Sequence, residues 1–127
     1  AGFDAAVPED IATAQARDIE ASHCGQVDAA FARRMAQAQV ARDQQMARAV
    51  EGHAARGVVL LAGNGHVRTD IGVPRWLSPA TRARSEAIGV LEQGSDGSVY
   101  DRAVFVPATR RADPCAGVAM PRPAAPQ

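Results

Sequence analysis

Two stretches carry apolar residues at helical spacing. Residues 9–22 (EDIATAQARDIEAS) put Ile11 and Ile19 on one side, acids in the first turn and Pro8 at the mouth, which predicts a helix. The triplet HCG at 23–25 interrupts it, and Gly25 can cap its end. Residues 26–55 predict a second, longer helix that Gly57 ends. The continuous apolar run VVLLA at 58–62, flanked by glycines, predicts a strand buried on both faces. Residues 68–77 predict a loop, and Ser78-Pro79 predicts a short helix through about Ser85, with serine as N-cap and proline at N1. Residues 86–92 and 99–106 predict two strands joined by the turn GSDGS, hence a C-terminal hairpin. Pro, Ala and Arg dominate from Pro107, and 114–127 predicts a disordered Pro/Ala-rich tail. The chain therefore predicts as α/β, with no internal repeat.

Composition changes this picture in one respect. Alanine supplies 28 of the 127 residues, while Val, Ile, Leu and Phe together supply 24. The predicted core is thin, and more polypeptide is expected to complete it. The 14 basic residues, all arginine, balance 14 acidic ones. A zero formal charge argues against a nucleic-acid binder that relies on bulk electrostatics. No lysine is present, which excludes Schiff-base chemistry and a P-loop. No apolar stretch reaches 18 residues. The chain opens on Ala1 without Met or an apolar leader, so the natural N-terminus is expected to have been removed. Cys24 and Cys115 lack the close pairing of a zinc site. They form either one disulfide, in an oxidising compartment, or two unrelated thiols.

Candidate chemistry lies in two places. On the long helix, Val27, Phe31, Met35, Ala38, Met46 and Ala49 share one stripe at 100° per residue. Arg42 falls at its centre, Gln39 inside it and Asp43 at its edge. A charge on a buried face must be paired or must face a cavity. Either Arg42 and Asp43 pair at the core margin, or Gln39, Arg42 and Asp43 line a polar pocket. The second place is GNGH at 63–66. Gly63, Asn64 and Gly65 follow the predicted strand, where α/β proteins place ligands, and the glycines permit close approach. His66 there serves as metal ligand, general base or hydrogen-bond donor to a carboxylate, or merely satisfies a backbone group. Arg68 and Asp70 either orient His66 or form a solvated pair. Trp76 walls a pocket or packs on the sheet. His23 and His53 lack convergent partners, and Tyr100 is the only phenol.

The segments HCG (23–25), AQVARDQQMA (38–47), VVLLAGNGHVRTDIGVP (58–74), YD (100–101) and DPC (113–115) together resemble the ChaN-like haem-binding lipoproteins of the Tiki superfamily. The resemblance implies a mostly parallel sheet flanked by helices, haem and iron uptake, a periplasmic or outer-membrane-anchored address, and a homodimer. In that family iron is held through a tyrosine, while a histidine and a basic residue hold the propionates. Gly63 to His66 match the second of two GxxH motifs, and Arg42, Asp43, Met46 and Ala47 match an RDxxMA helix. The first GxxH has no counterpart here. The chain thus resembles a C-terminal half over residues 26–113, preceded by a helical segment 1–25, with the N-terminal half as a partner. Haem would be held by His66 as ligand or propionate donor, by Arg42 and Arg68 at the propionates, and among Gln39, Met35, Met46 and Trp76. Tyr100 is the phenol available to iron. The periplasmic address favours a Cys24–Cys115 disulfide. Two alternatives stand beside this reading: a hydrolase using a divalent metal on His66 and Asp43, and a structural fragment without independent activity.

Overall fold

A computed structural model describes residues 6–118. Helix α1 spans Glu9–Ser22, as its apolar spacing predicts. Helix α2 spans Ala29–His53 and starts on Asp28, whose carboxylate accepts from Phe31 N at 2.7 Å. The sharp reversal between them needs left-handed backbone. Gly25 supplies it at φ 67, and Cys24 also adopts it at φ 56. The Gly25 N–H closes the end of α1 on the Glu20 carbonyl.

The face that α2 buries is not the predicted one. Ala32, Ala36, Val40, Asp43, Gln44 and Ala47 are inside. Phe31 is 44% exposed, with the Arg34 guanidinium 5.4 Å from its ring centre, and Ala38 and Ala49 are exposed. The reason is close packing. Ala32 and Ala36 sit against Ala16 and Ile19 of α1, and such small side chains let two helices approach closely, which the large residues of the predicted stripe would prevent. One consequence reverses the expected polarity: Asp43 is 1% exposed at the centre of the packed face, and Arg42 points to solvent. A second cluster (Ile11, Val40 and Ile71, with Trp76 against it) fastens the loop beyond residue 67 to the helix pair, so Trp76 packs.

The VVLLA run does not form the predicted strand. Residues 58–62 join no ladder, and Val59 and Leu61 are 94% and 96% exposed. A strand needs a neighbour for its backbone groups, and the run has none among the described residues. Helix α3 (Asn64–Val67) follows, then a 3₁₀ turn over Val73–Trp76 and helix α4 (Pro79–Arg82). Ser78 caps α4 by accepting from Thr81 N. Glu51 ties the end of α2 to this cap through Ser78 N and the Thr81 hydroxyl, each at 2.7 Å.

Strands β1 (Ile88–Glu92) and β2 (Arg102–Val106) are present, but they pair in parallel, with Ile88 opposite Arg102 and Glu92 opposite Val106. The hairpin reading is therefore corrected, while the α/β class with a parallel sheet holds. The connection 93–101 must return to the start of the sheet, and it crosses one face to do so. Tyr100 lies on Gly89, where a Cβ would come within 2.8 Å of the ring, and a Cβ on Gly97 would come within 2.7 Å of the Ala103 Cβ. Two absent side chains thus make a tight parallel return fit. Asp101 anchors it by accepting from Ala87 N and Arg82, both at 2.7 Å.

The covered side of β1 holds Gly89 and Leu91; Ile88 and Val90 remain exposed, as does most of β2. Val59, Leu61, Ile88 and Val90 line one apolar cleft, a setting for association. Replacing both Val59 and Leu61 with Lys is expected to change stability by less than about 0.5 kcal/mol, since neither is packed. It is expected to lower self-association in light scattering. Unchanged scattering would show that this surface does not drive association.

Cys24 and Cys115 form a disulfide, with Cα atoms 5.5 Å apart and a separation of 91 positions in sequence. It joins the α1–α2 reversal to the segment beyond β2. Of the tail predicted over 114–127, residues 119–127 lie outside the described residues.

Candidate functional site

The site is assembled from three pieces of chain. Helix α1 contributes Gln15, Asp18, Ile19 and Ser22; α2 contributes Gln39 and Asp43. The GNGH turn and the loop after it contribute Gly63, Gly65, His66 and Ile71. Together they line an open cavity of about 390 Å³, a volume on the scale of small-molecule sites.

His66 reaches Asp43 across the cavity wall. Its Nδ1 lies 2.6 Å from Asp43 Oδ1. A carboxylate accepts, so Nδ1 carries the proton and Nε2 is the nitrogen left with a lone pair. The other oxygen, Asp43 Oδ2, accepts from Gln15 Nε2 at 3.1 Å, and the same amide also donates to the Ile71 carbonyl at 3.2 Å. Burial pushes the Asp43 carboxyl above the usual carboxylate range, while the hydrogen bonds from His66 and Gln15 pull it down. His66 itself is 28% exposed in its side chain. A histidine held by a buried carboxylate on one nitrogen is oriented to offer the other to a metal or a proton.

The other residues singled out in the sequence divide. Gln39 lines the cavity, and Arg42 donates to its Oε1 at 3.2 Å from the exposed side of α2. Arg68 is committed elsewhere: it grips Asp70 with two bonds at 2.9 and 2.6 Å and Asp18 with a third at 2.7 Å. These contacts hold Asp70 below the usual carboxylate range, through the hydrogen bond from Arg68 above all. The Arg68–Asp70 pair therefore ties the loop to α1 and makes no bond to His66. Asn64 turns from the cavity and donates to the Val90 carbonyl at 2.8 Å. The Tyr100 hydroxyl donates to the Asn64 carbonyl at 3.3 Å, which places it behind the GNGH turn. Met46 is half-buried on α2 and does not line the cavity. His23 bonds the Ile19 carbonyl region and His53 pairs with Arg56.

Sequence reasoning missed Gln15, Asp18 and Ile71 as cavity residues. Gln15 recurs on the same side of α1 as Ile11 and Ile19, four residues from each, and that was the available signal. Among the described residues no group of three or more His, Cys, Asp or Glu converges, so the divalent-metal reading stands on His66 and Asp43 alone, and both Asp43 oxygens are engaged within the protein.

A family model described as haem-binding uptake, Tiki superfamily, ChaN matches residues 3–77. That span contains α1, α2, the GNGH turn and every cavity residue. No curated protein and no solved structure matches the chain.

Proposed function

The chain belongs to the haem-binding uptake family, ChaN, of the Tiki superfamily, and from that premise we propose that it binds haem in the cavity between α1, α2 and the GNGH turn, with His66 as the iron ligand. The observation that carries this reading is the 2.6 Å bond from His66 Nδ1 to the buried Asp43, which leaves Nε2 as the available nitrogen.

The lining suits such a group on three counts. Ile19 and Ile71 supply apolar wall. Gly63 and Gly65 leave an open edge, since a Cβ on either would meet nothing within 4 Å, so a flat ligand can approach the backbone. Arg42, exposed beside Gln39, is a cation with no carboxylate partner among the described residues and can take a propionate at the rim. The carboxylates Asp18 and Asp43 argue against propionates inside the cavity, and so favour His66 as iron ligand over His66 as propionate donor. Haem, when bound, supplies an iron centre whose properties its axial ligand and the hydrogen bonds behind that ligand adjust. Asp43 orients the imidazole, and the protein surrounds it.

An envelope address, periplasmic or anchored at the outer membrane, accords with the disulfide, which persists in oxidising compartments. No helix of the described residues is long and apolar enough to cross a membrane. A second copy of the chain, or the N-terminal half of a longer domain, is the partner class that would cover Val59, Leu61 and Val90.

The test is a haemin titration followed in the Soret region. His66→Ala is expected to weaken binding by about 10-fold or more, while His53→Ala, on the exposed end of α2, leaves it unchanged. Equal affinity in the two variants would remove His66 from the site.

A further inference from the structure

Gln15 is 6% exposed, and its amide is used asymmetrically. Nε2 donates to Asp43 Oδ2 and to the Ile71 carbonyl. Both neighbours are acceptors, so turning the amide over would set its carbonyl oxygen against two others, and the orientation is fixed. Its Oε1 is left buried with no partner among the described residues. A buried acceptor without a donor is a cost that leucine or methionine at this position would not incur. Something must offset that cost: an apolar side chain could neither satisfy the Ile71 carbonyl nor make the bond to Asp43.

That bond divides the Asp43 carboxylate between two donors. Gln15 holds Oδ2 from α1, and His66 holds Oδ1 from α3. With Oδ2 anchored, the carboxylate cannot rotate away from the imidazole. With Oδ2 free, rotation about its own Cβ–Cγ bond would release Nδ1–H, and the ring proton could then sit on either nitrogen.

We infer that Gln15 is a positioning residue for the haem site: by anchoring Asp43 it keeps the proton of His66 on Nδ1 and so keeps Nε2 open to the ligand. The inference rests on the haem reading for its consequence and not for its geometry. Gln15 touches no reacting atom, and it acts through Asp43.

The experiment reads both levels. In the full chain without ligand, two-bond ¹H–¹⁵N NMR of His66 is expected to show a single Nδ1–H tautomer. Gln15→Met is expected to show both tautomers and to weaken haemin binding by about 10–100-fold, the usual effect of losing a residue behind a metal ligand. Gln15→Leu is the second variant, for use where the methionine chain does not fold. Ile11→Val is the control: it trims the neighbouring core cluster without touching the amide. It is expected to lower the melting temperature while keeping the single tautomer and the parent affinity. A Gln15→Met protein with one Nδ1–H tautomer and parent affinity would overturn the proposal. Mixed tautomers in Gln15→Met, with no haemin binding by the parent, would sink the haem reading and leave the positioning role standing.

Discussion

Reducing the Cys24–Cys115 disulfide is expected to lower the stability of the chain by about 4–5 kcal/mol, from the entropy regained by an unfolded chain no longer closed into a loop of this length. The figure matters because of what the rest of the molecule offers. Small domains have about 5–15 kcal/mol in total. Here the core is two small clusters rich in alanine, and the strands present exposed faces. The bridge also joins segments that little else joins. The 107–118 stretch is almost wholly exposed; its side-chain link to the sheet is the Arg111–Glu92 pair, and its turn bonds, at Asp113 and Cys115, are internal. Urea unfolding with and without a dithiol reductant is expected to show a midpoint lower by about 1.5 M or more in the reduced chain. Trypsin is expected to cut at Arg110 and Arg111 faster after reduction, before global unfolding. A reduced chain, or a Cys24→Ser/Cys115→Ser variant, with the parent midpoint would show that the helix pair and sheet hold together unaided.

The helices were legible in the sequence because their signals are local. Acids in the first turn of α1, Gly25 after α1 and Ser78-Pro79 before α4 each act on backbone groups within a few residues. The pairing of the strands was not legible for the opposite reason. GSDGS favours a hairpin locally, yet the chain crosses the sheet face, and what permits that is Gly89 under Tyr100 and Gly97 beside Ala103, contacts between distant positions. The VVLLA run was legible as apolar but not as unpartnered, since burial depends on a neighbour that the described residues do not contain. At the site, GNGH, Gln39 and Asp43 were legible as chemistry. Their arrangement was not: a hydropathy stripe ranks Phe and Met above Ala, whereas helix contact favoured Ala32 and Ala36, and that rotation moved Asp43 inward and Arg42 outward. For Gln15 the sequence shows its place on the side of α1 marked by Ile11 and Ile19, but not its role, which exists only once α1 lies on α2.

Asp43→Ala is expected to weaken haemin binding by about 10–100-fold and to lower stability by about 1–3 kcal/mol, because it strands the buried donors that now meet the carboxylate. Gln15 Nε2 would keep only the Ile71 carbonyl, and His66 Nδ1 would lose its acceptor. The size of the effect follows from position: Asp43 is among the most buried side chains of the protein and receives two bonds from two other segments. Asp43→Asn sharpens the test. Asparagine fills the same space but carries one acceptor and one donor end. With its oxygen toward His66, its N–H₂ faces Gln15 Nε2, donor against donor; with the amide reversed, its N–H₂ faces Nδ1 and drives the imidazole proton to Nε2. The first arrangement breaks the bond from Gln15; the second keeps it but reverses the bond to His66 and puts the proton on Nε2. The asparagine variant is therefore expected to recover much of the stability lost in the alanine variant and little of the haemin affinity. Urea unfolding and Soret titration of the two proteins, side by side, measure the two quantities separately. Full haemin affinity in Asp43→Asn would mean that the space, and not the acceptor pair, is what the site requires.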